Sequence, residues 1–271
     1  MLKTSLTVVT FTVLSVVAMQ VNATPNYTNQ ALSSNFTLGA NGSSYNAGTT
    51  LGGASIQNGT VLNLSTLPLT GGNYQTHSNT SISPAVASTI YRQNYSAVIG
   101  NTQQPSGTSG TAYPWIKDIV GEFTSYSSLP TTGTYTYNGQ TVWHDIKAEG
   151  DFTYNINFAT KKGSGSISNV YVSDLPLLGA AKLQANLNEA NIVDLGGGRS
   201  GVSNGNVTNI TTGNAAKNFA LFGSTSALTG KYDLSIFGGN GTNKAQEVAG
   251  LVKDVTGGGW GNIEIGFAGK R

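Results

Sequence analysis

From Asp151 to Phe158 the sequence alternates without a break: Phe152, Tyr154, Ile156 and Phe158 fall on one face of an extended chain, with Thr153, Asn155 and Asn157 between them. A period of two is the mark of a strand with one face buried and one wet. Similar stretches recur, from Thr134 to Thr141, Ser164 to Val172, Lys182 to Val193, Val202 to Ile210, Phe219 to Phe222, Tyr232 to Phe237, Glu247 to Lys253 and Asn262 to Ala268. Short strands at even spacing, with turn signals between them, predict an up-and-down barrel, which also removes sheet edges.

The alternating strands occupy only the second half. Between Thr24 and Trp115 the sole Lys, Arg, Asp or Glu is Arg92, whereas charges come at ordinary intervals from Ile116 onward. So abrupt a change suggests two domains, with Ser127 to Gly133 as a linker. In the first region Asn41-Gly42, Asn58-Gly59 and Gly71-Gly72 are turn signals around an apolar cluster of Val61, Leu62, Leu64, Leu67 and Leu69. Ser83 as N-cap, Pro84 in the first turn, Gly100 as terminator and Val86, Ile90 and Val98 at near-helical spacing predict one helix there. The expected fold is therefore mainly β: an N-terminal β-rich ligand-binding domain with a short helix, then a C-terminal eight-stranded antiparallel barrel.

Residues 1–23 read as a secretory signal peptide: a basic start at Lys3, an apolar run from Leu6 to Met19, and small residues at Val21-Asn22-Ala23. The expected organisation is thus 1–23 signal, 24–131 ligand domain and 132–271 barrel, with a secreted mature chain and no stable membrane insertion. Cysteine is absent, so neither disulfides nor a lipid-bearing cysteine is available. Only 10% of residues are charged and the formal net charge is +2, which gives no reason to expect nucleic acid or anionic lipid as a partner. No H-E-x-x-H, G-x-S-x-G or Walker sequence occurs, and Asp194-Leu-Gly-Gly-Gly-Arg-Ser200 lacks the G-K-[ST] of a phosphate loop. The chain reads as a binder, not an enzyme.

The last strands carry a further pattern. Leu228-Thr-Gly-Lys-Tyr-Asp-Leu-Ser-Ile-Phe-Gly-Gly-Asn240 leads into Ala245-Gln-Glu-Val-Ala-Gly-Leu-Val252, and the chain closes on Gly266-Phe-Ala-Gly-Lys-Arg271. Together with Gly150-Asp-Phe-Thr-Tyr-Asn-Ile-Asn-Phe-Ala-Thr-Lys-Lys-Gly163, this resembles the terminal barrel of transferrin-binding-protein-B-like surface proteins. One barrel behind one N-terminal domain, without an anchoring cysteine, is similar to the hemophilin group of secreted hemophores. The resemblance implies haem b held by the N-terminal domain, export through a Slam-type translocon, delivery to a TonB-dependent outer-membrane receptor, and host haemoglobin as a haem source.

Haem iron takes His, Cys, Met or Tyr. With Met1 and Met19 in the signal peptide, the candidates are His77, His144 and the tyrosines. His77 lies in Gly72-Asn-Tyr-Gln-Thr-His-Ser-Asn79, read as a polar loop, and His144 lies beside Trp143, a possible aromatic wall, and Asp145. Tyr91, Tyr95, Ile90, Val98, Ile99, Tyr113 and Trp115 could form an apolar slot, and Arg92 could pair with a propionate. Two alternatives stay open: a surface-associated protein that binds a host macromolecule through its N-terminal domain, and a transition-metal site at the two histidines.

Overall fold

The computed structural model describes residues 25–40, 49–51, 54–56, 59–67, 75–79, 86–103, 113–142, 150–256 and 264–271. The N-terminal layer contains β1 (Asn26–Asn29), β2 (Asn35–Thr37), β3 (Thr49–Leu51), β4 (Ala54–Ile56), β5 (Val61–Asn63), β6 (Gln75–Asn79), β7 (Val86–Arg92), β8 (Ser96–Gln103) and β9 (Tyr113–Gly121). Five of these form a sheet in the order β1-β9-β8-β7-β6, antiparallel except for the β1–β9 pair.

The helix expected from Ser83 to Gly100 is not there. Val86–Arg92 and Ser96–Gln103 are two antiparallel strands in register Arg92↔Ala97 to Val86↔Gln103, joined by a turn at Gln93–Tyr95. The cause is burial on both faces. Ile90, Ala97 and Ile99 face one core, with Phe36, Leu38 and Leu64 above them, while Tyr91 and Val98 face another with Ile116 and Ile119. A strand covered on both sides loses its period of two, and a continuous apolar run also contains helical spacings. Its β-branched and aromatic content favours the strand.

The second half is the barrel. Its strands are β10 (Thr134–Val142), β11 (Asp151–Asn157), β12 (Lys162–Leu175), β13 (Gly179–Asn191), β14 (Val193–Gly196), β15 (Arg199–Thr211), β16 (Leu228–Phe237), β17 (Glu247–Thr256) and β18 (Ile265–Lys270). Neighbouring strands pair antiparallel in the order β13-β12-β11-β10-β18-β17-β16-β15, and β13 pairs with β15 to close the ring of eight. The short β14 adds only to β15, as the other arm of a Gly-rich hairpin. The expected barrel is borne out.

Its interior is filled by side chains. Phe152 and Phe267 stack with ring centroids 4.6 Å apart, and the Tyr154 and Tyr232 hydroxyls meet at 2.9 Å. Tyr232 also donates to the Asn188 carbonyl oxygen at 3.0 Å, so Tyr154 is the donor to Tyr232. Glycines make room for these rings: a Cβ on Gly163 or Gly165 would lie 2.6 Å from the Tyr154 ring, and one on Gly205 2.2 Å from the Tyr232 ring.

The run Phe219 to Phe222, expected as a strand, belongs instead to the α-helix among the described residues, α1 (Ala215–Phe222). Asn214 caps it through Oδ1, which accepts from the Lys217 N–H at 3.1 Å, and Gly223 ends it in the left-handed conformation. Leu221 and Phe222 enter the barrel core while Phe219 is exposed. Four apolar residues in a row hid the helix, because its signals lie outside the run, at Asn214 and Gly223.

Candidate functional site

The N-terminal layer is fastened to the outer wall of β16, β17 and β18. Along that wall Ala249 and Ala268 are small, and Tyr91, Val98, Ile116 and Ile119 pack onto them and onto Phe237 and Leu251. Gly266 is the closest approach: a Cβ there would lie 2.5 Å from Ile116 Cδ1. The chain crosses between the two parts at Phe123, which bridges to Phe237, and Thr124, whose N–H donates to the Ile236 carbonyl oxygen at 2.9 Å.

Glu247 locks one end of this seam. Its carboxylate, 1% exposed, accepts from the N–H groups of Asn94 at 2.7 Å and Tyr95 at 3.0 Å and from Ser96 Oγ at 2.9 Å. The β7–β8 turn thus wraps a carboxylate from the barrel. Burial raises the Glu247 pKa, and the three donors and Lys270 partly offset that. At the other end Glu264 is 6% exposed. Burial pushes its pKa up to about 7, against a hydrogen bond from the Ile116 backbone and the charges of Lys117 and Lys253, while Asp254 adds to the rise. Between them Asp233 accepts from Lys253 Nζ at 2.5 Å and from the Asn204 N–H at 2.8 Å. Arg199 lies over the Tyr27 ring at 3.9 Å, tying the Gly-rich hairpin to β1.

Of the residues expected to line a haem slot, the described ones are divided between the seam and the core above it. Tyr91 is buried against the barrel, and Tyr95 packs on the same seam. Arg92 points away from that seam and donates through Nη1 to the Leu67 carbonyl oxygen at 2.8 Å. Ile90 and Ile99 belong to the core beneath Phe36, and Val98 to the seam. His77 is in the middle of β6, paired with Ser88, not in a loop. The side chains of His77, Tyr113 and Trp115 lie outside the described residues, as do Trp143 and His144. Among the described residues no group of three or more His, Cys, Asp or Glu could hold a metal ion. No helix among them is long and apolar enough to cross a membrane.

Sequence reasoning missed Glu247 and Glu264 as parts of the seam. The signal for Glu247 was its place in Gln246-Glu247, inside the pattern quoted above and at the start of a strand that is otherwise apolar to Val252.

Residues 127–252 match the family model described as factor H binding protein, C-terminal. Among solved structures, the chain is similar to the vaccine antigen transferrin binding protein B of Haemophilus parasuis, in a double-mutant form, at 16% identity and a TM-score of 0.41. That match covers 79% of this chain and 39% of the other, so the chain spans well under half the length of that structure.

Proposed function

We propose that this chain is an exported, surface-associated binding protein whose N-terminal layer presents an open surface to a host macromolecule, with the barrel as its rigid mount. The observation that carries this reading is the use of the apolar side chains. Tyr91, Tyr95, Ile90, Val98 and Ile99 are committed to the two packing layers, and among the described residues what remains for a partner is a surface. That surface comes from a stretch with a single charge, Arg92, rich in Asn, Ser, Thr, Gly and Tyr, a composition that adapts to protein epitopes at low entropic cost. The factor H binding protein match over the barrel supports a host-protein partner.

A second reading keeps haem as the ligand. The β6–β7 register sets His77 opposite Ser88, on the strand that carries Arg92, so an imidazole and a cation stand on neighbouring strands of one sheet. In that reading His144 and Trp143 complete the site, and a Slam-type translocon and a TonB-dependent receptor serve export and delivery.

Immobilised residues 24–271 exposed to purified factor H and to transferrin, beside a hemin absorption titration of wild type, His77→Ala and His144→Ala, separates the two. Saturable binding of either host protein, weakened by Val61→Arg on the exposed face of β5, supports the surface reading. A saturable hemin spectrum lost in a histidine variant, with no host-protein binding, replaces it by the haem reading. Neither response overturns both.

A further inference from the structure

The β12–β13 hairpin outruns the barrel that contains it. β11 pairs with β12 only from Lys162 to Ser168, and β15 pairs with β13 only from Gln184 to Leu187. Beyond those limits, Val170 to Leu175 and Gly179 to Leu183 pair only with each other. At about 3.3 Å per residue the free arm is roughly 20 Å long. It is braced: Val172 and Ala181 on its inner face share a core with Leu221 and Phe222 of α1, and Lys217 Nζ donates to the Ala180 carbonyl oxygen at 2.6 Å.

The tip runs Leu175-Pro-Leu-Leu-Gly-Ala-Ala181 without a charge. Leu177 is 106% exposed and Leu178 38%. Leu177 also holds a φ of +66°, a left-handed conformation that suits glycine and costs a bulky residue free energy. A turn needs neither a leucine at that position nor its complete exposure. Behind the tip stand the exposed Lys182 and the half-buried Lys217, with Asp174 across the hairpin from Ala180. Apolar side chains at the point and lysines one step back match a bilayer interface, where leucines enter the acyl boundary and ammonium groups meet anionic headgroups.

We propose that the β12–β13 tip is a lipid-contacting spike: Leu177 and Leu178 insert shallowly into an anionic membrane surface, and Lys182 and Lys217 hold it there. The spike lies on the barrel and acts whatever the N-terminal layer binds.

The test is flotation of the chain with phosphatidylcholine vesicles containing or lacking phosphatidylglycerol, for wild type and for L177G/L178N. Glycine at 177 removes the side chain and relieves the left-handed backbone, so the variant keeps its fold and its melting temperature does not fall. The expected result is wild type floating with anionic vesicles, weaker flotation on phosphatidylcholine alone, and binding weaker by about tenfold or more for the variant, from loss of two leucine side chains. K182E with intact leucines weakens binding on anionic vesicles and leaves it unchanged on neutral ones. Failure of wild type to float with anionic vesicles, as expected of a tip that fits a protein pocket instead, overturns the proposal. So does flotation unchanged in L177G/L178N.

Discussion

Ser96 Oγ donates to the Glu247 carboxylate across 2.9 Å, joining the β7–β8 turn of the N-terminal sheet to the first residue of β17 in the barrel. The Asn94 and Tyr95 N–H groups complete the contact, so one buried acid holds three donors from a single turn. Removing the acid leaves those donors buried and unsatisfied. Glu247→Ala should cost about 2–4 kcal/mol, and Glu247→Gln, which keeps one acceptor, clearly less. Urea unfolding of both variants checks the order; equal costs would mean that the contact is packing alone.

The two seam carboxyls set a pH dependence. Burial raises both carboxyls on folding, Glu264 to about 7 from an ordinary 4.5, and Glu247 as well. A raised carboxyl contributes its stability below the unfolded value and loses it as pH rises through the folded one. Stability should therefore fall between about pH 4.5 and 7, by up to about 3 kcal/mol from Glu264. Glu264→Gln should flatten much of that slope and stabilise the chain at pH 8. Melting temperatures across this range decide it, and a slope unaltered in the variant would remove Glu264 from the account.

Close packing at the seam predicts a compensating pair. Gly266→Ala places a methyl 2.5 Å from Ile116 Cδ1. Overpacking of this kind costs about 1–3 kcal/mol. Ile116→Val, which removes that Cδ1, should recover part of the loss, so the double variant is more stable than the sum of the two single effects. A double-mutant cycle reads the coupling directly.

The barrel tyrosines should rank by connectivity. Tyr232→Phe removes the acceptor for Tyr154 and the donor to Asn188, leaving a buried hydroxyl and a half-buried carbonyl unpaired, and should cost about 1–3 kcal/mol. Tyr154→Phe leaves Tyr232 bonded to Asn188 and should cost about 0.5–1.5 kcal/mol. The reverse order in denaturant midpoints would contradict the donor assignment.

The legible parts of the fold were the strands with one wet face. Asp151 to Phe158 was read as a strand and is β11 over Asp151–Asn157, because its alternate residues meet core and solvent in turn. Val86–Arg92 was misread because Ile90 and Tyr91 are both buried, on opposite sides. The seam was invisible for a related reason. Ala249, Ala268 and Gly266 look like filler in a sequence, and their meaning appears only when a second sheet lies against them. On the same ground Ile90, Tyr91, Val98 and Ile99, close together in the sequence, are divided between two cores.

The ring of strands is completed by its first and last members, with Asn138 opposite Lys270 and Val142 opposite Gly266. More than a hundred residues separate those partners in the chain, and β17 and β18 also form the wall on which the N-terminal layer sits. Neither half can reach its final packing before the carboxyl-terminal strand is in place. Without that strand, β10 and β17 keep open edges and the N-terminal layer lacks part of its wall.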